Sequence, residues 1–228
     1  MWNNIFYNYS IEYDEQMKIV ETINKMAKYT QVVYDKHAIF INFEKFSYPQ
    51  PIYINVIRDP LERAVSSYYY LRFESQLLSK TYENDETRNL TYDECVLQNR
   101  KVCTGKNSFH GIWNIIPFFC GYNPICKYPS KLALQIAKSN VEKYYVAVGT
   151  IEYYDESLQL FEKLLPNYFQ GIQKAYKKYK SESIKKYRGK FKMKPSEQVE
   201  RKMKNLMNYE YQFYKFIRQR LFKMLKNE

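Results

Sequence analysis

The stretch PIYINVIRDPLERAVSSYYYLRF, residues 51–73, decides what kind of fold this chain can adopt. Its first seven residues are almost all apolar, a pattern typical of a strand buried on both faces of a sheet. The run ends at Arg58-Asp59-Pro60, where Asp59 can cap and Pro60 can open a helix. Apolar side chains at helical spacing then continue to Phe73. The stretch therefore predicts a buried strand followed directly by a helix.

The rest of the chain alternates between helical and strand patterns. Periodic apolar residues predict helices at 13–29, 130–140 and 155–165 and one long helix after Ser196, and apolar runs predict strands at 38–43 and 144–148. A polar excursion at 74–107 and a basic loop at 174–194 separate these elements. The alternation indicates an α/β fold with a parallel sheet flanked by helices. A chain of 228 residues can build one sizeable core, so we expect a single domain spanning residues 1–228.

The composition indicates a polyanionic partner. Lys and Arg number 36 against 24 Asp and Glu, which gives a formal charge of +12 and a positive surface field. The partner classes are nucleic acid, an anionic membrane, or a sulfated or carboxylated polysaccharide. The aromatic share of 18% is compatible with base stacking, but a biased overall composition accounts for it equally well.

The four cysteines form two close pairs. They are Cys95 with Cys103, and Cys120 with Cys126. This spacing suits two local disulfides better than a zinc site, with four reduced thiols as the alternative. Asn8 and Asn89 each begin a glycosylation sequon in a polar stretch. Together these features favour the secretory pathway, although the first residues are too polar for a signal peptide and no run of 18 apolar residues occurs.

Arg58 is the first candidate site residue. It leaves the carboxyl end of a buried strand, where α/β sheets place ligands, and its guanidinium can bind a phosphate with two hydrogen bonds. Ser66, two turns into the following helix, can add a hydroxyl. The alternative is that Arg58 pairs with Asp59 or Glu62 and that Ser66 is only a small helical residue.

Residues 51–73 resemble the 3′-phosphate-binding segment of the uronyl and heparan sulfate 2-O-sulfotransferases, which have a P-loop-like sulfotransferase fold. The resemblance continues through further segments along the chain: residues 93–95, 116–121, 148–152, 164–169 and 209–214, with Cys126. It implies that Arg58 and Ser66 bind the 3′-phosphate of PAPS (3′-phosphoadenosine 5′-phosphosulfate). The segments around Glu15, Lys36 and Tyr211 look more like the uronyl branch than the heparan branch.

The same resemblance implies the other site residues. His37, just ahead of the strand predicted at 38–43, matches the family's catalytic histidine, and an imidazole can take a proton from a sugar hydroxyl near neutral pH. Asp35 stands where the heparan branch has a second histidine. Arg188 and Lys192 lie in a basic segment that resembles one closing over the nucleotide, although a solvated charge run is the alternative. No metal is required. Arg72 is a candidate contact to the acidic glycan.

The family's phosphosulfate loop and first strand have no counterpart here, since no glycine precedes Gly105. We therefore expect an α/β sulfotransferase domain that begins after that loop. The resemblance implies a Golgi enzyme of type II membrane topology, with its anchor outside this chain. The implied reaction transfers a sulfuryl group from PAPS to the 2-hydroxyl of a uronic acid in a glycosaminoglycan. Dermatan or chondroitin sulfate is the first candidate acceptor, and heparan sulfate is the second. One alternative is an inactive glycosaminoglycan-binding relative. A more remote alternative is a nucleic-acid-binding domain.

Overall fold

The computed structural model describes residues 11–34, 39–74, 86–104, 114–186 and 192–226. The strands in these ranges are β1 (Tyr53–Ile57) and β2 (Tyr145–Thr150). The helices are α1 (Tyr13–Ala27), α2 (Pro60–Tyr69), α3 (Tyr92–Leu97), α4 (Lys101–Thr104), α5 (Ile116–Cys120), α6 (Lys131–Tyr144), α7 (Tyr154–Leu164), α8 (Pro166–Phe169), α9 (Ile172–Lys186), α10 (Glu197–Leu206) and α11 (Asn208–Lys226). Short 3₁₀ turns at Phe43–Phe46 and Pro124–Cys126 and a π turn at Tyr70–Glu74 complete the list.

The two described strands form a small parallel sheet flanked by helices, as the alternating pattern predicts. The pairing continues past the end of β2, where the Ile151 N–H donates to the Ile57 carbonyl at 2.9 Å. Parallel neighbours need a long crossover, and here residues 58–144 supply it. The carboxyl ends of β1 and β2 therefore lie side by side, and the residues that follow them are neighbours.

By its internal contacts the chain divides into two compact units. The first comprises Met1–Ile54 and Asn114–Val146, and the second comprises Asn55–Trp113 and Ala147–Glu228. A single domain over residues 1–228 stays a prediction.

The first unit has a core built from α1 and the segment after it. The buried residues of this core are Ile11, Ile19, Val20, Ile41, Phe43 and Phe46. Next to it, Phe40 stacks on Tyr144 with ring centroids 5.2 Å apart, and Tyr53 packs on Tyr145 at 5.1 Å. A disulfide joins Cys120 at the end of α5 to Cys126, one of the two predicted pairs.

The predicted strand at 38–43 is wrong over its described part. Residues 39–42 belong to no strand, and Phe43 opens a 3₁₀ turn. The Phe40 N–H donates to the Phe118 carbonyl at 2.8 Å, and side chains bind the backbone of the residues that follow. Gln50 accepts from the Phe43 N–H at 2.8 Å and donates to the Ile41 carbonyl at 3.3 Å, while Asn42 accepts from the Glu44 N–H at 3.0 Å. Local polar side chains thus satisfied the backbone without a ladder.

The second unit contains two apolar clusters. One packs α2 and α3 against α10, and its members include Val65, Tyr68, Cys95, Val199 and Met203. The other packs β2 against α7 and α11, through Ala147, Leu158, Leu160, Phe161 and Leu221. The second predicted disulfide joins Cys95 in α3 to Cys103 in α4, within the first of these clusters.

The predicted basic loop at 174–194 is wrong over its first part, which forms α9. Ile172 and Tyr176 lie one turn apart on this helix and pack against the α7 cluster, with the Tyr176 ring 4.7 Å from that of Tyr154. Lys180 forms an ion pair with Asp155 at 3.2 Å. Two partly buried residues one turn apart pack this lysine-rich helix against α7, and so sparse an apolar pattern does not stand out in the sequence.

The long helix predicted after Ser196 is interrupted once. Ser196 caps α10 through its hydroxyl, which accepts from the Val199 N–H, and α10 ends at Leu206. Met207, with φ −97° and ψ 25°, departs from helical geometry, and α11 begins at the next residue.

Gly149 in β2 is required by a close approach to α7. A Cβ atom at this position would lie 2.5 Å from the Cβ of Ser157 and 3.3 Å from the Phe161 ring. Ser157 holds α7 against the strand, because its hydroxyl accepts from the Thr150 N–H at 2.9 Å and donates to the Tyr153 carbonyl at 2.6 Å. A side chain at position 149 would therefore push the helix away from the sheet.

We predict that Gly149→Ala lowers the free energy of unfolding by at least about 2 kcal/mol, because the added methyl group overpacks a rigid contact. The control is Gly171→Ala, where a Cβ meets nothing within 4 Å and only the φ of +81° is unfavourable. Gly171→Ala should lower the free energy of unfolding by about 1 kcal/mol. Urea denaturation followed by circular dichroism measures both, and equal costs would contradict the close approach.

Candidate functional site

The turn between β1 and α2 is built as the sequence predicts. The Asp59 carboxylate caps α2, accepting from the N–H groups of Leu61 at 3.0 Å and Glu62 at 3.1 Å. Pro60 occupies the first turn of the helix, where no N–H is needed. The cap fixes the path of the chain immediately after Arg58, so the base of that side chain has a defined position at the end of the strand.

Three residues far along the sequence hold this turn, and sequence reasoning did not assign them to the site. The Asp59 N–H donates to one Glu152 oxygen at 2.9 Å, and the Tyr214 hydroxyl donates to the other at 2.8 Å. The Tyr211 hydroxyl donates to the Asp59 carboxylate at 3.1 Å. Glu152 follows β2, and both tyrosines belong to α11. These three residues lie in segments that resemble the 2-O-sulfotransferases, and that resemblance was the signal by which the sequence could have indicated them.

Burial raises the pKa of both Tyr211 and Tyr214, and the neighbouring carboxylates raise it further. Asp59 acts on both phenols, and Glu152 accepts the bond from Tyr214. The two tyrosines therefore remain protonated hydrogen-bond donors throughout the physiological range. Their role here is to fix carboxylates, since a phenol with a raised pKa is a poor general base.

Arg58 contacts Glu62 one helical turn away, the pairing that the alternative interpretation predicted. The Arg58 Nη2 atom lies 3.0 Å from the Glu62 Oε2 atom. The Nζ atom of Lys192 lies 2.5 Å from the same oxygen. Lys192 follows Glu62 by 130 residues in the sequence, and the fold places it beside Arg58. Two of the predicted nucleotide-binding cations share one carboxylate.

Partial burial acts to raise the pKa of Glu62, but the hydrogen bond and charge of Lys192, followed by those of Arg58, outweigh it and leave the pKa below its usual 4.5. A carboxylate whose pKa is lower in the folded state stabilises the fold above its unfolded pKa. That contribution is lost as the pH falls through the folded-state value. Near neutral pH, Glu62 is therefore ionised and paired.

Ser66 lies on α2, one turn beyond Glu62. Residues four apart on a helix share a face, so its half-buried side chain projects on the same side of α2 as Glu62. Arg58, Glu62 and Ser66 thus follow one another at four-residue steps. The contact of Arg58 and Ser66 with a phosphate stays a prediction.

Arg72 is only 1% exposed, which differs from the surface position expected of a glycan contact. Its guanidinium lies 3.7 Å from the centre of the Tyr68 ring and donates to the Tyr68 carbonyl at 3.2 Å and the Thr87 hydroxyl at 3.0 Å. In this conformation Arg72 packs the π turn at Tyr70–Glu74 against the loop before α3. Its contact with a glycan stays a prediction.

Several predicted residues lie elsewhere. Asn89 is exposed in the turn before α3, and the Thr91 hydroxyl of its sequon accepts from the Glu94 N–H at 3.2 Å as the cap of that helix. His37, Arg188 and Asn8 lie outside the described residues.

Within the described ranges, no cluster of three or more His, Cys, Asp or Glu side chains could hold a metal ion. Over the same part of the chain, no helix is both long and apolar enough to cross a membrane.

We predict that Tyr214→Phe lowers the free energy of unfolding by about 1–2 kcal/mol, because it removes one hydrogen bond to a carboxylate and keeps the ring. Tyr209→Phe on the same helix is the control, since Tyr209 is exposed, and it should cost under about 0.5 kcal/mol. Thermal denaturation of the two variants would show this difference. Equal stabilities would mean that the bond to Glu152 does not hold the turn.

No protein-family model matches the chain. Among characterised proteins, it is similar to the uronyl 2-sulfotransferase of Mus musculus, with 33% identity over 222 residues, which cover 94% of this chain and 53% of that protein. It is also 33% identical over 206 residues to heparan sulfate 2-O-sulfotransferase 1 of Xenopus laevis, covering 89% of this chain and 56% of the relative. The heparin sulfate O-sulfotransferase of Drosophila melanogaster is 37% identical over 163 residues, 71% of this chain and 46% of that protein.

The chain spans about half the length of these relatives, and the match covers nearly all of its own length. Over nearly all of its own length, the chain is therefore similar to uronyl and heparan sulfate 2-O-sulfotransferases.

Proposed function

We propose that this protein transfers a sulfuryl group from PAPS to the 2-hydroxyl of a uronic acid in a glycosaminoglycan, with dermatan or chondroitin as the first candidate acceptors. The observation that carries the proposal is that Arg58 and Lys192 converge on one oxygen of Glu62, directly beyond the carboxyl end of β1. Two neighbouring cations and a serine hydroxyl, which Ser66 can supply, are groups that suit the binding of a phosphate. The similarity to 2-O-sulfotransferases supports the reaction class.

In the proposed reaction, Arg58 and Ser66 hold the 3′-phosphate of the donor, and Lys192 and Arg188 add positive charge. His37 accepts the proton of the attacking hydroxyl. As the sugar oxygen bonds to sulfur, the bond between sulfur and the 5′-phosphate oxygen breaks, and adenosine 3′,5′-bisphosphate leaves. The assignment of His37 rests on the sequence resemblance. Electrostatic stabilisation of the departing phosphate would contribute much of the rate, as in phosphoryl transfer.

Two further observations support the proposed compartment and acceptor. Disulfides at Cys95–Cys103 and Cys120–Cys126 suit an oxidising lumen, which supports the proposed Golgi location. A type II membrane topology of the whole protein is part of the proposal and rests on the sequence resemblance. The formal charge of +12 suits an acidic polysaccharide, and charge alone would also permit binding without catalysis. Transfer assays must therefore accompany binding assays.

Nucleotide binding tests the site directly. We predict that Arg58→Ala weakens the affinity for adenosine 3′,5′-bisphosphate by about 10- to 100-fold, because a charge-assisted contact contributes about 1.5–3 kcal/mol. Ser66→Ala should weaken it less, since a neutral hydroxyl contributes about 1 kcal/mol. Isothermal titration calorimetry on the folded variants measures both. Arg100→Ala, which removes an exposed cation paired with Glu86, is the control and should change nothing. Unchanged affinity in all three variants would mean that the nucleotide does not bind through Arg58 and Ser66.

Catalysis is tested with PAPS and desulfated dermatan, on wild-type and variant proteins that carry a family phosphosulfate loop ahead of Met1. We predict that His37→Ala lowers the rate of sulfate transfer by about 10²- to 10⁴-fold, the usual contribution of a positioned base. The affinity for adenosine 3′,5′-bisphosphate should stay within about twofold, because the proposed role of the histidine is to act on the acceptor hydroxyl and not on the nucleotide. Salt-dependent binding of the glycan with no transfer by the wild-type protein would instead favour a non-catalytic glycosaminoglycan-binding protein. Equal rates with and without His37 would exclude it as the base.

A further inference from the structure

Both cations of the proposed phosphate site already contact one carboxylate of the protein itself. Arg58 and Lys192 approach the same Glu62 oxygen, at 3.0 and 2.5 Å. These are charge-assisted contacts, and they use donors on both cations that a bound phosphate would need. The exposed fraction of the side chain is 29% for Arg58, 25% for Lys192 and 43% for Glu62. The cluster therefore lies open to a ligand and is already occupied by an anionic group.

A phosphate and the Glu62 carboxylate cannot both take this position. Oxygens of a dianionic phosphate in contact with Arg58 and Lys192 would lie within a few ångströms of the carboxylate, where like charges in a partly buried site repel. Glu62 has an open route away from the cations. It lies on the first turn of α2, its side chain is nearly half exposed, and a change of rotamer would carry its carboxylate into solvent without moving the helix.

We propose that Glu62 occupies the place of the ligand's 3′-phosphate in the ligand-free protein, and that its displacement sets the affinity and selectivity for nucleotides carrying that phosphate. This inference rests on the proposed function, in which Arg58 and Lys192 bind the 3′-phosphate. A nucleotide that lacks a 3′-phosphate does not compete with Glu62, so only ligands that carry one are affected. Glu62 thus acts as a selectivity residue through the two cations.

The experiment compares two nucleotide probes on the wild-type protein and on Glu62→Gln, which keeps the size of the side chain and removes its charge. Adenosine 3′,5′-bisphosphate should bind the variant about 10-fold more tightly, because the ligand no longer competes with an ionised group for two cations. Adenosine 5′-monophosphate should bind both proteins within about twofold. Glu86→Gln is the matched control, since it removes another carboxylate paired with an arginine, at 2.9 Å, and changes the net charge equally.

The possible results separate the inference from the proposed function. Tighter binding of the bisphosphate alone, by Glu62→Gln and not by Glu86→Gln, supports the displacement. Unchanged or weaker binding of the bisphosphate to Glu62→Gln overturns it, while wild-type binding leaves the proposed function in place. An equal gain for both nucleotides also overturns it, as a general effect of charge. If neither folded protein binds the bisphosphate, the proposed function fails, and the inference fails with it.

Discussion

The arrangement of the site depends on the hydrogen bonds of one carboxylate, that of Asp59. This group accepts from two N–H groups at the start of α2 and from the Tyr211 hydroxyl, while the backbone N–H of the same residue donates to Glu152. Four contacts thus tie the end of β1, the start of α2, the segment after β2 and the helix α11 to one residue. Without these contacts, the backbone after Ile57 could adopt several conformations, and the backbone of Arg58 would not be held in one position.

Around this fixed turn, the charged groups are less constrained. Arg58, Glu62 and Lys192 are all partly exposed, and an ion pair in such a position contributes little to the stability of the fold. In the proposed function, their mutual contact assembles positive charge beside α2 and holds it with a group that a ligand can displace. The hydrogen bonds of Asp59 and Glu152 hold the turn, and the partly exposed charged groups are the proposed binding surface.

Much of the fold follows from local patterns in the sequence. The apolar run before Arg58 predicts β1, the Asp-Pro pair predicts the start of α2, and α1, α6, β2 and α7 lie within a few residues of their predicted bounds. These elements share strong caps or continuous apolar stripes.

The remaining elements were decided by contacts that the sequence does not display. Side chains of Asn42 and Gln50 replaced the strand pairing expected at 38–43, and two apolar residues were enough to order α9. Arg58 and Ser66 could be proposed from the sequence because they lie close to the turn, and their contact with a nucleotide stays a prediction. Glu152, Tyr211 and Tyr214 come from distant segments, and only their positions in space reveal the bonds that they make. The sequence predicted a surface position for Arg72. Its burial against Tyr68 depends on the tertiary structure, which the sequence pattern does not display.

A crystal structure of the protein with adenosine 3′,5′-bisphosphate would test the central claim most directly. The account predicts density for the 3′-phosphate within hydrogen-bonding distance, about 3 Å, of the Arg58 guanidinium and the Ser66 hydroxyl, with the Glu62 carboxylate turned toward solvent. The nucleotide bound at another place, with the Arg58–Glu62–Lys192 contacts intact, would contradict it.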